Sequence, residues 1–362
     1  MKVGFFSPLP PARTGVADYS AGLLPWLRQL GDVDIAPRQC DVALYHVGNN
    51  ALHREIYKHA LAHPGVVVLH DAVLQHLLLG TLNADEYVDE FVYNYGESSR
   101  ELGCRLYAQR ARSGADARYF AYPLLKRIAV ASRAVIVHNP AAAALVLEHS
   151  PQTPVYEIPH LFERPALPSP EETLRFRESL GLTPETLLIG TFGHQRETKR
   201  LAVLLRAFER VDRAHAHLLV SGEFVSSTFE NALGPLLQQP GIIRTGYLPE
   251  TGLWRYAAAT DLCINLRYPT AAETSGIAVR MMGIGKPVIF TASEALARIP
   301  SNACLRVEVG PEEEEMLAGY ITWLAENHEA ACEIGQRAAA HIAQYHAPEG
   351  IARKYWDVLA KL

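Results

Sequence analysis

Short unbroken runs of Val, Ile, Leu and Phe, each followed by a longer stretch of helical period, constrain this chain more than any other feature. "KVGFFSP", "DVALYHVG", "GVVVLHD" and "RAVIVHN" alternate with helical patterns at 17–30 and 53–63, a long helical region, and 140–149. A strand that is apolar on both sides must be covered on both faces, as in a parallel sheet flanked by helices. After "VYEIPHLFERPALPSPEE" the pattern restarts with "LLIGTFG", a helix over 199–211, "HAHLLVSGE", "GIIRTGYLP", a helix over 251–259, "DLCINLR", "PVIFTA" and "CLRVEV". Helices over 311–326 and 328–345 and the aromatic helix "EGIARKYWDVLAKL" complete the chain. The spacing predicts an α/β fold of two doubly wound parallel-sheet domains, with the proline-rich stretch 151–169 as their linker.

A length of 362 residues with 49% hydrophobic side chains suffices for two cores. The net charge of −5, with Lys and Arg scattered along the chain, argues against nucleic acid and for a small ligand. Cys40, Cys104, Cys263, Cys304 and Cys332 show no paired metal spacing and are odd in number, which suits core residues in a reducing compartment. "MKVGFFSPLPPART" does not read as a signal peptide, and no stretch approaches the roughly 18 to 20 apolar residues of a membrane span. The expectation is a soluble, cytoplasmic protein. Residues 84–112 read as helical with charged and aromatic residues mixed, either a solvated face over a Tyr and Phe core stripe or an acceptor-binding excursion beside the cleft.

Ligands of open α/β sheets bind where strands end and helices begin, and four stretches stand there. In "SPLPPARTGVADYS", Gly15, Val16 and Ala17 let the backbone approach a phosphate at a helix start, although a single glycine is not a dinucleotide fingerprint. In "VVVLHDAVLQH", His70 beside Asp71 is placed to touch a substrate, while His76 reads as structural. In "GTFGHQRETKR", Lys199 at the start of its helix, with His194 and Arg196 in the loop, would set cations around a diphosphate. In "PTAAETSGIAVRMMGIGKP", Ser275, Gly276 and Ile277 would offer free amides to the phosphate, and Glu273 would accept hydrogen bonds from sugar hydroxyls. Each stretch has a plainer alternative: a turn, a packing histidine, a solvated loop, an N-capping glutamate.

Together these residues resemble the retaining glycosyltransferases of family 4 (group 1), with the two-Rossmann GT-B fold, and in particular a bacterial subgroup carrying an ETSG segment. The resemblance rests on the Gly15 loop, His70, the G-[RH]-x4-K pattern in "GHQRETK", the Glu273 segment, "GKPVI" and the terminal "YHAPEGIARKYWDVL". It implies an N-terminal acceptor-side domain over 1–163, a nucleotide-sugar domain over 170–346, and a C-terminal helix over 347–362 crossing back to the first domain. It further implies catalytic roles for His70, Glu273 and Lys199. Donor contacts would come from Gly15, Val16, His194, Arg196, Lys199, Tyr247, Thr274, Ser275, Gly276, Ile277 and Arg280, with Tyr247 framing the base. The chain departs from the family pattern in two ways: Arg280 and Met281 stand where a second, ribose-holding glutamate is usual, and His194 replaces an arginine.

The implied reaction takes a sugar from a nucleotide diphosphate sugar, UDP-, GDP- or other, to a hydroxyl of a carbohydrate or lipid-linked saccharide, in polysaccharide or glycolipid assembly. No cofactor is expected, and no metal, on the ground that no Asp-x-Asp is present to hold Mg²⁺ on the diphosphate. Peripheral membrane contact would come through the N-terminal domain. A catalytically silent GT-B module that binds a partner or a nucleotide sugar is the alternative, motivated by Arg280 and His194, and a sugar-nucleotide epimerase is a third.

Overall fold

β-Branched and aromatic residues that find apolar partners on both faces settle into a parallel sheet, and here they do so twice. The computed structural model of the chain describes residues 1–212 and 215–362. The first sheet contains β1 (Lys2–Phe6), β2 (Asp32–Ile35), β3 (Val42–Val47), β4 (Val66–Leu69), β5 (Ala134–Val137) and β6 (Val155–Glu157). Their order is β2-β1-β3-β4-β5-β6, parallel throughout. The second contains β7 (Leu187–Phe192), β8 (Ala216–Ser221), β9 (Ile242–Gly246), β10 (Leu262–Asn265), β11 (Val288–Thr291) and β12 (Leu305–Val307). Its order, β12-β11-β10-β7-β8-β9, is likewise parallel.

Alternate residues of one strand feed opposite cores. Val66 and Val68 of β4 join Val3, Phe5 and Leu23, whereas Val67 and Leu69 join Tyr87, Phe91 and Tyr119. Full burial of each such side chain is worth about 1.5–3 kcal/mol, so a strand of this kind has no stable alternative on a surface. The terminal helix Pro348–Leu359 lays Ile351, Ala352, Tyr355, Val358 and Leu359 into the core of the first sheet. Tyr355 Oη meets Tyr19 Oη at 2.8 Å, which ties the end of the chain to the helix Gly15–Leu30.

Strand order reverses once in each sheet, between β1 and β3 and between β7 and β10. Chains leaving the carboxyl ends of such a pair diverge to opposite faces and open a crevice between them. The two crevices face each other, and contacts cross between the domains. Ala72 N donates to Ala271 O at 2.7 Å, and Arg298 holds Glu157 through two bonds of 2.9 Å.

Several expectations need correction. The stretch 151–169 is not all linker, because Val155–Glu157 pairs with β5 as an edge strand and the crossing begins after it. Helices Pro170–Ser179 and Ser227–Leu237 and edge strand β2 are additional elements. Asp32-Val33-Asp34 is an Asp-x-Asp after all, but it lies on β2 with Asp34 against Lys2 Nζ at 2.7 Å, away from the crevices. Cys263 and Cys304 are buried, yet Cys104 and Cys332 are exposed. Among the described residues no helix is long and apolar enough to cross a membrane. The 84–112 region forms helices whose Tyr87, Phe91 and Leu106 enter the first core, as a core stripe would. Its continuation brings Gly114 to the cleft, where a Cβ would lie 3.5 Å from Glu197 Oε2 of the other domain.

Candidate functional site

The loop after β7 turns at Gly193, whose φ of +86° only glycine adopts readily and whose Cβ would stand 3.1 Å from Lys199 Nζ. Lys199 lies in a single turn, Glu197–Lys199, and not at the start of its helix as expected; the helix Leu201–Phe208 begins two residues later. That turn folds the lysine back under the strand end, where Nζ donates to Phe192 O. No carboxylate pairs with it among the described residues. Burial first, then Arg267 and Arg196, pushes its pKa well below the usual lysine range.

The loop after β10 carries Glu273 and is tied by side chains. Glu273 Oε1 accepts from Arg267 Nη1 at 2.8 Å and, more distantly, from Arg196 Nη2 at 3.5 Å. Its Oε2 accepts from Thr270 Oγ1 at 2.9 Å and from Ala271 N at 2.8 Å. Burial opposes its ionisation, but Arg267 and then Arg196 outweigh that, so its carboxyl stays below the usual range. Glu273 does not cap the next helix: Ser275 Oγ does, accepting from Ala278 N at 3.3 Å and also from Arg267 Nη2 at 3.3 Å. The helix Gly276–Gly283 therefore starts with the amides of Gly276 and Ile277 unused among the described residues, beside Lys199's arginine neighbours. Gly276 also admits His160, whose Nε2 lies 3.3 Å from where a Cβ would stand.

From the first sheet, His70 follows β4 directly. Its Nε2 pairs with His46 Nδ1 at 3.0 Å, and its ring stands edge-on to Tyr19 at 5.0 Å. Tyr19 is also flanked by His46, His138 and His160 at 6.0, 5.1 and 4.5 Å between centroids. His138 Nδ1 donates to Ile158 O at 2.9 Å and His160 Nδ1 to Leu161 O at 3.0 Å, so each keeps its lone pair on Nε2. Burial, then the neighbouring histidines, holds His70 well below the ordinary imidazole range, and burial brings His138 down to about 4. His70 is a neutral hydrogen-bonding group here. Asp71 beside it takes Asn49 N at 2.8 Å on Oδ2; burial and then Glu273 push its pKa up.

The remaining predicted residues fall around this centre. Gly15 and Val16 open the helix Gly15–Leu30, capped by Thr14, and a Cβ on Gly15 would meet nothing within 4 Å. His194 Nε2 reaches Arg13 O of the first domain at 3.5 Å, and the Arg13 guanidinium lies 4.6 Å over the exposed ring of Tyr247. Thr274 Oγ1 accepts from Asn139 Nδ2 at 3.0 Å. Arg280 is half-buried, 5.7 Å over Trp254, and forms no hydrogen bond or ion pair among the described residues. Arg267, His46, Tyr19 and Asn139 were not singled out from the sequence. Arg267 had a signal, since it ends the strand-like "DLCINLR" as His70 ends its own run.

Lys199, Arg196 and Arg267, an unused helix start, and a carboxylate fixed in orientation thus converge at the crevice of the second sheet. Opposite stand the neutral His70 and Asp71. Such a set can hold a diphosphate and orient a polyhydroxylated group attached to it.

The model for group 1 glycosyl transferases matches residues 183–327. No curated protein sequence matches the chain. Among solved structures, the Anabaena protein HepE in complex with UDP and glucose is similar over 100% of both chains, with 15% identity and a TM-score of 0.69. Sucrose-phosphate synthase from Thermosynechococcus elongatus is similar over 100% of this chain and 98% of its own, with 16% identity and a TM-score of 0.71. WaaG, a glycosyltransferase involved in lipopolysaccharide biosynthesis, covers 97% of this chain and 98% of its own at 16% identity and a TM-score of 0.60. The whole chain thus has the GT-B fold of these transferases, and the match to the group 1 glycosyl transferase model falls within its second domain.

Proposed function

We propose that this protein transfers a sugar from a nucleoside diphosphate sugar to a hydroxyl of a saccharide or lipid-linked saccharide, with retention of anomeric configuration and without a metal. The observation that carries the reading is the pairing of an unneutralised Lys199 with the bare start of the helix Gly276–Gly283, at the switch point of the second sheet. A diphosphate completes both. As the glycosidic bond breaks, charge accumulates on its departing oxygen, and groups already desolvated and aimed there stabilise that charge more than they stabilise the ground state. Arg196 and the Gly15 helix start add to this from the rim, and Tyr247 frames the base.

Glu273 fixes sugar hydroxyls. Its 3.5 Å contact with Arg196 is the longest of its four, and a sugar hydroxyl displaces it at least cost. His70 faces the sugar's reacting side as a neutral group, and the acceptor hydroxyl attacks on the face that the diphosphate leaves. Closure of the two domains excludes water from the reacting centre. A role in polysaccharide or glycolipid assembly belongs to the same reading, as does placement in the cytoplasm.

HepE complexes with UDP and with UDP-glucose make UDP-glucose the first donor to test. Nucleoside diphosphate release should be measured across UDP- and GDP-sugars with saccharide acceptors, for the wild type and Glu273→Gln. Wild-type turnover that EDTA does not affect and that gives a product of unchanged anomeric configuration by NMR, with turnover lost in a folded Glu273→Gln, is the expected result. Donor binding without release for any donor and acceptor pair would instead make the chain a binding module.

A further inference from the structure

The turn that carries Glu273 is held from outside its own domain. Asn139, only 2% exposed, caps the helix Pro140–His149 by accepting from Ala142 N on Oδ1 at 3.0 Å. Its Nδ2 uses both protons across the cleft, donating to Ala272 O at 2.7 Å and to Thr274 Oγ1 at 3.0 Å. One residue earlier, Ala72 N of the first domain donates to Ala271 O at 2.7 Å.

Ala272, the centre of these contacts, has a φ of +53°, in the left-handed region that alanine seldom occupies. Its methyl is buried among side chains of the first domain's core. Among the described residues its own domain offers that backbone one bond, from Ala272 N to Thr270 Oγ1 at 3.1 Å. Strained backbone of this kind persists only where its surroundings over-determine it, and most of the surroundings here belong to the other half of the molecule.

We propose that Asn139 is a positioning residue that couples domain closure to the shape of the Glu273 turn. With the domains together, Asn139 and Ala72 hold Ala272 left-handed, and Ala271 N then points at Glu273 Oε2 while the Gly276 amide end stays open to a diphosphate. With the domains apart, three hydrogen bonds are lost and Ala272 returns to ordinary backbone. Glu273 then loses the Ala271 amide, so the sugar-holding carboxylate is in place only in the closed protein. Futile cleavage of the donor in the open, wet cleft is thereby suppressed. The catalytic part of this inference rests on the transferase reading; the structural part does not.

Asn139→Asp tests it, because the aspartate keeps the capping oxygen for Ala142 N but loses both donors and sets a carboxylate against Ala272 O. Amide hydrogen exchange is followed on the full chain, together with kcat and the donor KM. We expect exchange over 268–276 to quicken at least about tenfold while 140–149 keeps its protection. We expect kcat to fall roughly 10- to 100-fold with the donor KM nearly unchanged, as for a misplaced but intact group. Asn139→Ala, which also loses the cap, should quicken both segments. Unchanged exchange over 268–276 in Asn139→Asp, or quickening confined to 140–149, overturns the proposal, as does quickened exchange with wild-type kcat. If the wild type turns over no donor, the transferase reading has failed, and the exchange data still decide whether Asn139 shapes the turn.

Discussion

Lys199→Met should separate stability from function in opposite directions. The Lys199 amino group sits inside the protein with Phe192 O as its only hydrogen-bond partner among the described residues, beside the cations Arg196 and Arg267. Burying it is therefore a cost already met on folding, and the methionine, of similar length and apolar, removes that cost together with the repulsion. The unliganded variant should melt no lower than the wild type. A phosphate oxygen arriving at about 3 Å interacts with the ammonium by about 5 kcal/mol at an effective dielectric of 20. Losses to the ligand's own desolvation leave a net of about 2–4 kcal/mol, or roughly 30- to 1,000-fold in Kd. Isothermal calorimetry with UDP, UDP-glucose and the GDP series measures this directly, and thermal shift reads it as a lost ligand-induced rise in Tm. Because the free lysine's pKa is depressed and a bound diphosphate raises it, binding takes up a proton at any pH between the free and bound values. Affinity should then fall as pH rises through the free-protein value, and the methionine variant should lack this dependence. A Lys199→Met protein that binds every nucleoside diphosphate with wild-type affinity refutes the assignment.

Glu273→Ala strands the guanidinium of Arg267, whose side chain is 17% exposed and whose Nε already lacks a partner. Loss of about 3–5 kcal/mol is expected in urea unfolding of the full chain, against less for Glu273→Gln, which retains one acceptor oxygen. Acid should destabilise the fold through its buried histidines. His138 and His346 are buried at 7% and 8% exposure, each with a pKa lowered by burial from 6.5 to about 4. The unfolded chain takes up their protons below pH 6.5 while the folded one does not until about pH 4. Stability present above pH 6.5 is therefore lost as pH falls, by about 2 kcal/mol per histidine at pH 5. Equal urea midpoints at pH 7.5 and pH 5 would rule out a neutral buried cluster.

The central strands were legible because a strand covered on both faces has no polar position to hide, and β3, β4, β5 and β7 are buried along their whole lengths. Edge strands obey a different rule. β2 exposes three of its four residues and β6 is half-buried throughout, so neither has the continuous apolar signature, and β6 vanished into the prolines around it. The capping box at Ser169 and Glu172 was present as "SPEE" and marks the helix Pro170–Ser179 that the sequence reading passed over. Strand ends were the guide to the site, and they led to Gly15, His70, Lys199 and Glu273. Residues inside elements gave no such cue. Tyr19 and His46 read as core, and Asn139 before Pro140 reads as a helix cap, which it is; its second task depends on a domain that no local pattern reveals.

Charge shows the same division between what composition reveals and what position does. A net charge of −5 suggests a molecule that would repel a diphosphate. At physiological ionic strength a surface charge is screened within about 8 Å, so acidic residues spread over the exterior contribute little at the crevice. Inside it, Arg267 and Arg196 lie close enough to depress the protonation of Lys199, and Arg196 that of Arg267, with Glu273 and Asp71 as the opposing carboxylates. Glu273 is committed to Arg267, and burial with the nearby Glu273 biases Asp71 toward its neutral form. The local balance is therefore positive where the average is negative. A low-dielectric crevice weights the near charges over the far ones. That sign, set by three side chains delivered from the ends of two adjacent strands, is what makes an anionic donor a better fit to this cleft than the protein's overall acidity would allow.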